Sequence, residues 1–575
     1  MKRRDFLRAA GLAGLAGAGI PSPGFSAQRF FPWFGPNADG GGEQLFPYDA
    51  ELFEAAERIV FLSRKTASLN ILPKAGKSLD IKLFRSAGSF YLANASIMKF
   101  SGVDDSLDIP LKNDFWGPEL YYRIEYRETS SRGAWKSTPA RRVKTPNPNF
   151  RNGRIEALFI GDDHTFDDAD MGARVVTDEA WRDLRLNGDY VNEMLKKLVL
   201  NPAYLPDAEL DPAAKTMSGF CLASTIRQIL AAESPDLIVI LGDTNGIGAG
   251  YKWKGLGLRD PQFGLPASLY DDYAKLFWIR MRKMYSALTP HIPVYIALGN
   301  HDGEAGSDVC RLPASKYRRK YWKMPGAENG HSSEENYFSL VWGGDWAGAG
   351  GMQFLVLDSD GYNNPLRLPK TPEEWTLGAA QKAWFKQALA QESDWKFVFF
   401  HHVLGGWPFG TDERTFDYAY GRGPLFTAEQ YRPYVKNPEA VEQVELTRLM
   451  QAAGVRANFY GHDHIHHARK ISRTAAGRDM FGICVGSTKH SGEINWYEGP
   501  IWQSQDGYGS YGTYFGFADK TTGKPAAFWG PSGYTKLSVS RDGAGVDYIR
   551  SANNHPNTNL PPTLRVGDAV SSLFL

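Results

Sequence analysis

At 575 residues, with 42% hydrophobic and 22% charged residues, the chain has the composition of a globular protein and the length of two or three domains. A formal net charge of +1 supplies no basic field for nucleic acid, and none is indicated as a partner. The 16 Trp and 27 Tyr suit broad apolar or sugar-like surfaces but select no function by themselves.

The N-terminus, MKRRDFLRAAGLAGLAGAGI, opens basic, carries Arg3-Arg4 and Phe6-Leu7, and continues as a weakly apolar run to Ile20. It resembles a twin-arginine export signal; the alternative is a basic tail with no addressing role. The run is about a dozen residues, too short to span a bilayer. The resemblance implies a signal peptide over residues 1–27, cleaved near Ser26 or Ala27, with the twin-arginine export machinery as partner and a periplasmic or secreted location. No later segment has the length and apolarity of a membrane span, so no stable membrane span is expected. Cys221, Cys310 and Cys484 form no CxxC pair, which leaves open one disulfide with a spare thiol or three buried thiols.

Residues 28–57, rich in Gly, Pro and Phe, read as a linker or arm. From residue 58 to 150 the chain alternates as short strands, with Tyr122, Ile124 and Tyr126 on one side of "ELYYRIEYRE". This predicts a small all-β sandwich, similar to fibronectin type III. From residue 151 to 555 strands and helices alternate, which predicts a layered, largely parallel α/β domain. The strands are "IEALFI", "DLIVIL", "PVYIAL", "MQFLVLD", "WKFVFF", "RANFY" and "MFGICV", followed by a hairpin turning at Asp542-Gly543. Residues 491–532 lack periodicity and read as an insertion, and residues 556–575 as a C-terminal tail.

Of the 12 histidines, His462, His464, His466 and His467 crowd into "GHDHIHH", behind one of those strands. Other strands end in similar chemistry: Asp162-Asp163-His164, Gly242-Asp243, Gly299-Asn300-His301-Asp302 and His401-His402. In open α/β sheets the carboxyl ends of strands converge on the ligand crevice, so these groups point to one place. Carboxylate and imidazole together suit Zn, Mn or Fe rather than Ca. The candidates are too many for one tetrahedral ion and suit two ions sharing a carboxylate, a clamp for displacement at phosphorus.

In this order, "DDH", "GD", "GNHD", "HH" and "GHDH" resemble the calcineurin-like metallophosphoesterase superfamily, over about residues 154–551. The resemblance implies a four-layer α/β/β/α sandwich and two divalent or trivalent transition-metal ions. It implies Asp162, His164 and His464 on the first ion, Asn300, His401 and His462 on the second, and Asp243 bridging both. A water held between the ions is then the expected nucleophile. His301 is expected to face substrate and protonate the leaving oxygen, with Asp302 orienting it. Of the adjacent pair, the family pattern favours His401 over His402 as ligand. His466 and His467 are expected on the exit from the turn, Asp163 beside the ligands or in solvent, and His490 as a weaker candidate.

Two substrate contacts are open. Arg422, between two glycines, is either a phosphate clamp or a solvated loop arginine, and Asn245 either meets a phosphate oxygen or stabilises its turn. Purple acid phosphatases share the leading β domain but carry a ferric-binding tyrosine where this chain has Gly246, so their colour is not expected. The alkaline phosphatase D-like branch shares the signal and leading domain and departs at GNHD, which is intact here. The resulting expectation is an exported phosphomonoesterase of broad specificity acting on small phosphoesters. A phosphodiesterase on the same site is the alternative, and a non-catalytic metal- or phosphate-binding protein a further one.

Overall fold

The computed structural model describes residues 48–87, 96–112, 118–131, 133–146, 154–165, 189–200, 218–244, 267–299, 301–304, 308–326, 335–343, 351–359, 376–402, 442–462, 466–473, 477–488, 532–540, 542–551 and 567–575. The leading region forms two antiparallel sheets. One runs β1-β2-β5 (Arg58–Phe61, Thr66–Ile71, Leu107–Lys112). The other runs β4-β3-β6-β7 (Ser96–Val103, Leu79–Ala87, Glu119–Glu128, Lys136–Ser137), with β8 (Arg141–Lys144) also paired to β6. In β6, Leu120, Tyr122, Ile124 and Tyr126 are buried while Tyr121, Arg123, Glu125 and Arg127 are half-buried, the period of two that a one-sided sheet requires.

These sheets share one apolar core with the two sheets that follow. The seam is polar and hydrogen-bonded. The Arg58 guanidinium donates to the carbonyls of Val294 and Lys323, each at 2.7 Å, and the Tyr122 hydroxyl donates to that of Pro290 at 2.8 Å. Arg141 meets Glu57 at 2.8 Å with both side chains buried. Buried charges of this kind are tolerable only when paired.

Two six-stranded sheets follow. The first has the order β11-β10-β9-β18-β19-β20, from Val294–Ile296, Leu237–Ile240, Arg154–Ile160, Gly533–Ser540, Ala544–Arg550 and Ala569–Phe574. Strands β9, β10 and β11 are parallel, and the β18–β19 hairpin joins antiparallel against β9. Residues 556–575 therefore do not end as a simple tail: β20 is hydrogen-bonded along β19. A six-residue edge strand with two serines carries too weak an alternation to be read in advance.

The second sheet has the order β12-β13-β14-β15-β17-β16, from Phe338–Trp342, Met352–Val356, Trp395–Phe399, Ala457–Tyr460, Asp479–Val485 and His466–Arg473. Its four central strands are parallel and its two edges antiparallel. The sheets face each other through aromatic rings. Phe159 of β9 lies 5.1 Å from Phe399 of β14 and 4.6 Å from Phe459 of β15, ring centre to ring centre.

Helices complete the layering: α1 (Asp189–Leu200), α2 (Ser218–Ala232), α3 (Ala267–Met284), α4 (Asp308–Tyr321), α5 (Gly378–Leu389) and α6 (Glu442–Ala452). Helix α1 buries Val191, Met194, Leu195 and Leu198, a one-face stripe at helical spacing. Helix α2 is tied to the end of the first sheet by Thr225 against Ser551 at 2.6 Å. On the other side, Phe385 and Leu389 of α5 and Leu446 and Met450 of α6 pack against Leu355 and Val398 in a separate apolar cluster. Helix, sheet, sheet and helix thus succeed one another. No described helix is long and apolar enough to cross a membrane. Cys221 and Cys484 are buried and not disulfide-bonded.

Candidate metal centre

Strands β9, β10 and β11 of one sheet and β14 and β15 of the other end at a common place. Among the described residues, the non-glycine residues with positive φ are Asp162 (44°), His164 (46°), Asp243 (54°) and His462 (69°). Each stands just beyond a strand, where the chain must turn sharply and still aim a side chain inward. The left-handed conformation costs about 1–2 kcal/mol per residue and collects at functional sites.

Asp243 lies at the centre. Its Oδ1 accepts the backbone N–H of His301 at 2.9 Å. Its Oδ2 faces three imidazoles: Nε2 of His164 at 3.4 Å, Nε2 of His401 at 3.4 Å and Nε2 of His301 at 3.8 Å. Both oxygens of Asp162 accept the backbone N–H of His462 at 2.9 Å, and the Ser487 hydroxyl donates to its carbonyl at 2.6 Å. His401 Nδ1 sits 2.6 Å from the carbonyl of Leu241, which can only accept. That fixes a proton on Nδ1 and turns Nε2 toward Asp243 and toward His462 Nδ1, 3.1 Å away.

Two glycines let the strand ends touch. A Cβ on Gly242, whose φ is +87°, would lie 2.6 Å from Gly299 N and 2.7 Å from His401 Nδ1. A Cβ on Gly461 would lie 2.5 Å from Asp162 Oδ2 and 2.8 Å from the Leu241 carbonyl.

Burial shapes the charges. Burial pushes the Asp162 carboxyl up to about 7, against the opposing pull of His401. Burial also works against ionisation of Asp243, but His401, His301 and His164 outweigh it and hold this carboxyl well below the usual range. Burial alone would lower His401, yet Asp243 and Asp162 push it up to about 10. Two buried carboxylates therefore recruit positive charge. Ligand atoms of Asp162, Asp243 and His401 all lie within 4.8 Å of one another. Two donors at about 2.0–2.1 Å from one ion, subtending 90–110°, are about 2.8–3.4 Å apart, which the Asp243 pairs with His164 and His401 and the His401–His462 pair match. The mixed oxygen and nitrogen donors fit a transition metal, and Asp162, His164, Asp243, His401 and His462 are the described residues that would hold one.

Of the expected site residues, Asp162, His164, Asp243, His301, Asp302, His401 and His462 come together, all buried. Asn300, His464, Asn245, Arg422 and His490 lie outside the described residues. The Asp302 carboxylate accepts the backbone N–H groups of Asp243 (3.0 Å), Thr244 (2.9 Å) and Gly299 (2.8 Å). It locks the β10 and β11 ends to each other and sets His301 through the main chain. His466 stacks on Tyr548 at 4.3 Å, on the exit from the turn.

Sequence reading missed several partners. Tyr285, beyond α3, donates to Asp163 at 2.6 Å, and burial pushes the Asp163 carboxyl up to about 6 despite that bond. Arg280 donates to the Thr165 carbonyl at 2.6 Å. Neither residue carries a motif. Ser487 had a usable signal, since it follows a strand in "CVGST" as the metal motifs follow theirs.

The chain also resembles known proteins. The sequence pattern of the calcineurin-like phosphoesterase family matches residues 220–466. No curated protein matches the sequence. Among solved structures, a purple acid phosphatase from yellow lupin (Lupinus luteus) seeds aligns at 12% identity and a TM-score of 0.49, covering 90% of this chain and 74% of its own. Faecalibacterium prausnitzii β-glucuronidase aligns at 10% identity and a TM-score of 0.19, covering 73% of this chain and 60% of its own. Neither overlap is close enough to carry an argument. Residues 220–466, which hold Asp243, His301, Asp302, His401 and His462, carry a calcineurin-like phosphoesterase domain.

Proposed function

We propose that this chain is an exported phosphomonoesterase of broad specificity that works with two transition-metal ions. The observation that carries the reading is Asp243 Oδ2, buried and ringed by the Nε2 atoms of His164, His401 and His301 at 3.4–3.8 Å. One carboxylate oxygen shared among imidazoles from different strands is what a bridged pair of cations requires. When bound, the cations supply Lewis acidity toward a phosphoryl oxygen and acidify water.

The chain's own residues do the rest. Asp162, Asp243, His164, His401 and His462 hold the charge in place, with Asn300 and His464 completing the set on the family pattern. His301 is the imidazole that pattern leaves outside the ligands. It holds a proton at Nε2 for the leaving oxygen and offsets charge developing on phosphorus. Asp302 keeps that ring in position by fixing the turn that carries it. The pairing of a proton donor with a complete ligand set supports a catalyst over a binding protein.

The test is metal analysis of the purified protein with a phosphoester panel. Two equivalents of transition metal and chelator-sensitive release from p-nitrophenyl phosphate are expected. His301→Ala should keep both equivalents while turnover falls about 10²–10⁴-fold. A rate strongly favouring bis-p-nitrophenyl phosphate would replace monoesterase by diesterase, and hydrolysis of neither ester would remove the catalytic reading. Export is tested separately: replacing Arg3 and Arg4 by Lys should retain the protein in the cytoplasm.

A further inference from the structure

A further strand end reaches the same centre. Strand β13 lies beside β14 in the second sheet and continues through Leu357 and Asp358 to Ser359. Ser359 Oγ sits 2.8 Å from His402 Nδ1 and accepts the His402 backbone N–H at 3.4 Å. The serine is itself held from behind. The buried Gln381 amide of α5 accepts the Asp358 N–H at 2.8 Å and donates to the Asp358 carbonyl at 2.9 Å. His402 is buried rather than turned to solvent, although it neighbours His401 in sequence. Its ring lies 5.0 Å from that of His401 and 4.8 Å from that of His462, and the ligand atoms of these three histidines all fall within 4.8 Å of one another.

Resting on the dinuclear reading above, we propose that His402 is an additional ligand of the second cation. It joins His401 and His462 in a three-imidazole face, with Ser359 as the residue that positions it. With the Ser359 hydroxyl as acceptor of Nδ1–H, the lone pair is left on Nε2 for the cation. This is the same division of labour that the Leu241 carbonyl imposes on His401. With Asp243, and with Asn300 taken from the family pattern, the second cation would then have five protein donors, while the first would keep Asp162, His164 and Asp243, with His464 from the same pattern. The two ions would be inequivalent, the second being held by more protein donors.

The test is titration of Co²⁺ into metal-free protein, read by its visible ligand-field absorption and by competition with a chromophoric chelator. Wild type should take up two equivalents with different affinities. His402→Ala and Ser359→Ala should each weaken one equivalent about tenfold or more and change its absorption, leaving the other intact. Ser359→Ala removes no ring and guards against a folding defect, which far-ultraviolet circular dichroism monitors in both variants. If either folded variant binds both equivalents with wild-type affinity and spectrum, the proposal fails while the dinuclear site stands. If wild type takes up no cobalt, the dinuclear site itself fails.

Discussion

Asp302→Asn tests how the centre is built. The wild-type carboxylate takes two N–H groups on Oδ2, from Asp243 and Gly299, and one on Oδ1, from Thr244. An asparagine has one acceptor oxygen. With that oxygen in the Oδ2 place, the Thr244 N–H faces an NH₂ group and loses its partner, a cost of about 1–3 kcal/mol for a buried donor. The two surviving bonds change from charged to neutral acceptor, at about 1 kcal/mol each. No volume changes and no cavity opens, so the sum, about 3–5 kcal/mol, is read directly as stability. Urea unfolding of the metal-free variant should show a loss in that range. Because the clamp also holds Asp243, metal retention should fall with it. A loss below about 1 kcal/mol with undiminished metal uptake would refute the backbone-clamp reasoning and return Asp302 to a role on the His301 side chain.

Other perturbations follow from close contacts and burial. Gly461→Ala sets a methyl 2.5 Å from Asp162 Oδ2, so metal content should drop and phosphoesterase activity fall by more than about tenfold; wild-type metal content would show that the strand ends can part. Tyr285→Phe removes the hydroxyl that donates to buried Asp163, and urea unfolding at neutral pH should show a loss of about 1–3 kcal/mol. His291 is held well below its ordinary value of 6.5 by burial and by Arg141, so the folded chain binds fewer protons there than the unfolded one. Stability from this group is present above about 6.5 and is lost as pH falls below it; His291→Asn should flatten that part of the pH–stability curve, and an unchanged curve would exclude His291 as its source.

The strand ends were legible because two signals coincide there: an apolar run that stops, and metal-type side chains at once afterwards. Asp162, Asp243 and His462 stand out on that ground alone. The partners that hold them were not, because their role depends on pairing across the chain. Asp302 is placed by N–H groups from two loops, and Ser359 reaches His402 only because β13 and β14 are neighbours in the sheet. Alternation foresaw the β18–β19 hairpin but not its insertion beside β9. Helix α4 went unread because Pro313 sits within it, against the usual rule for helix interiors. The polar seam of the leading sheets was also hidden, since an arginine such as Arg58 reads as surface until its carbonyl partners are known.

The strain at the centre explains why these strands come as a set. His164, at φ 46°, donates its backbone N–H to the carbonyl of Asp243, at φ 54°, with a distance of 3.0 Å. His462, at φ 69°, donates to the carboxylate of Asp162, at φ 44°, with a distance of 2.9 Å. Each left-handed residue is thus bonded to another from a different strand, and in the second pair from the opposite sheet. A bond to a charged acceptor contributes about 1.5–3 kcal/mol and one to a carbonyl about 0.5–1.5 kcal/mol, which offsets part of the about 2–4 kcal/mol of two left-handed residues. Each loop thus has part of its strain offset by the other. The ligand geometry is therefore a property of the two packed sheets, and whatever separates β9 from β15 must release Asp162 and His462 in the same event.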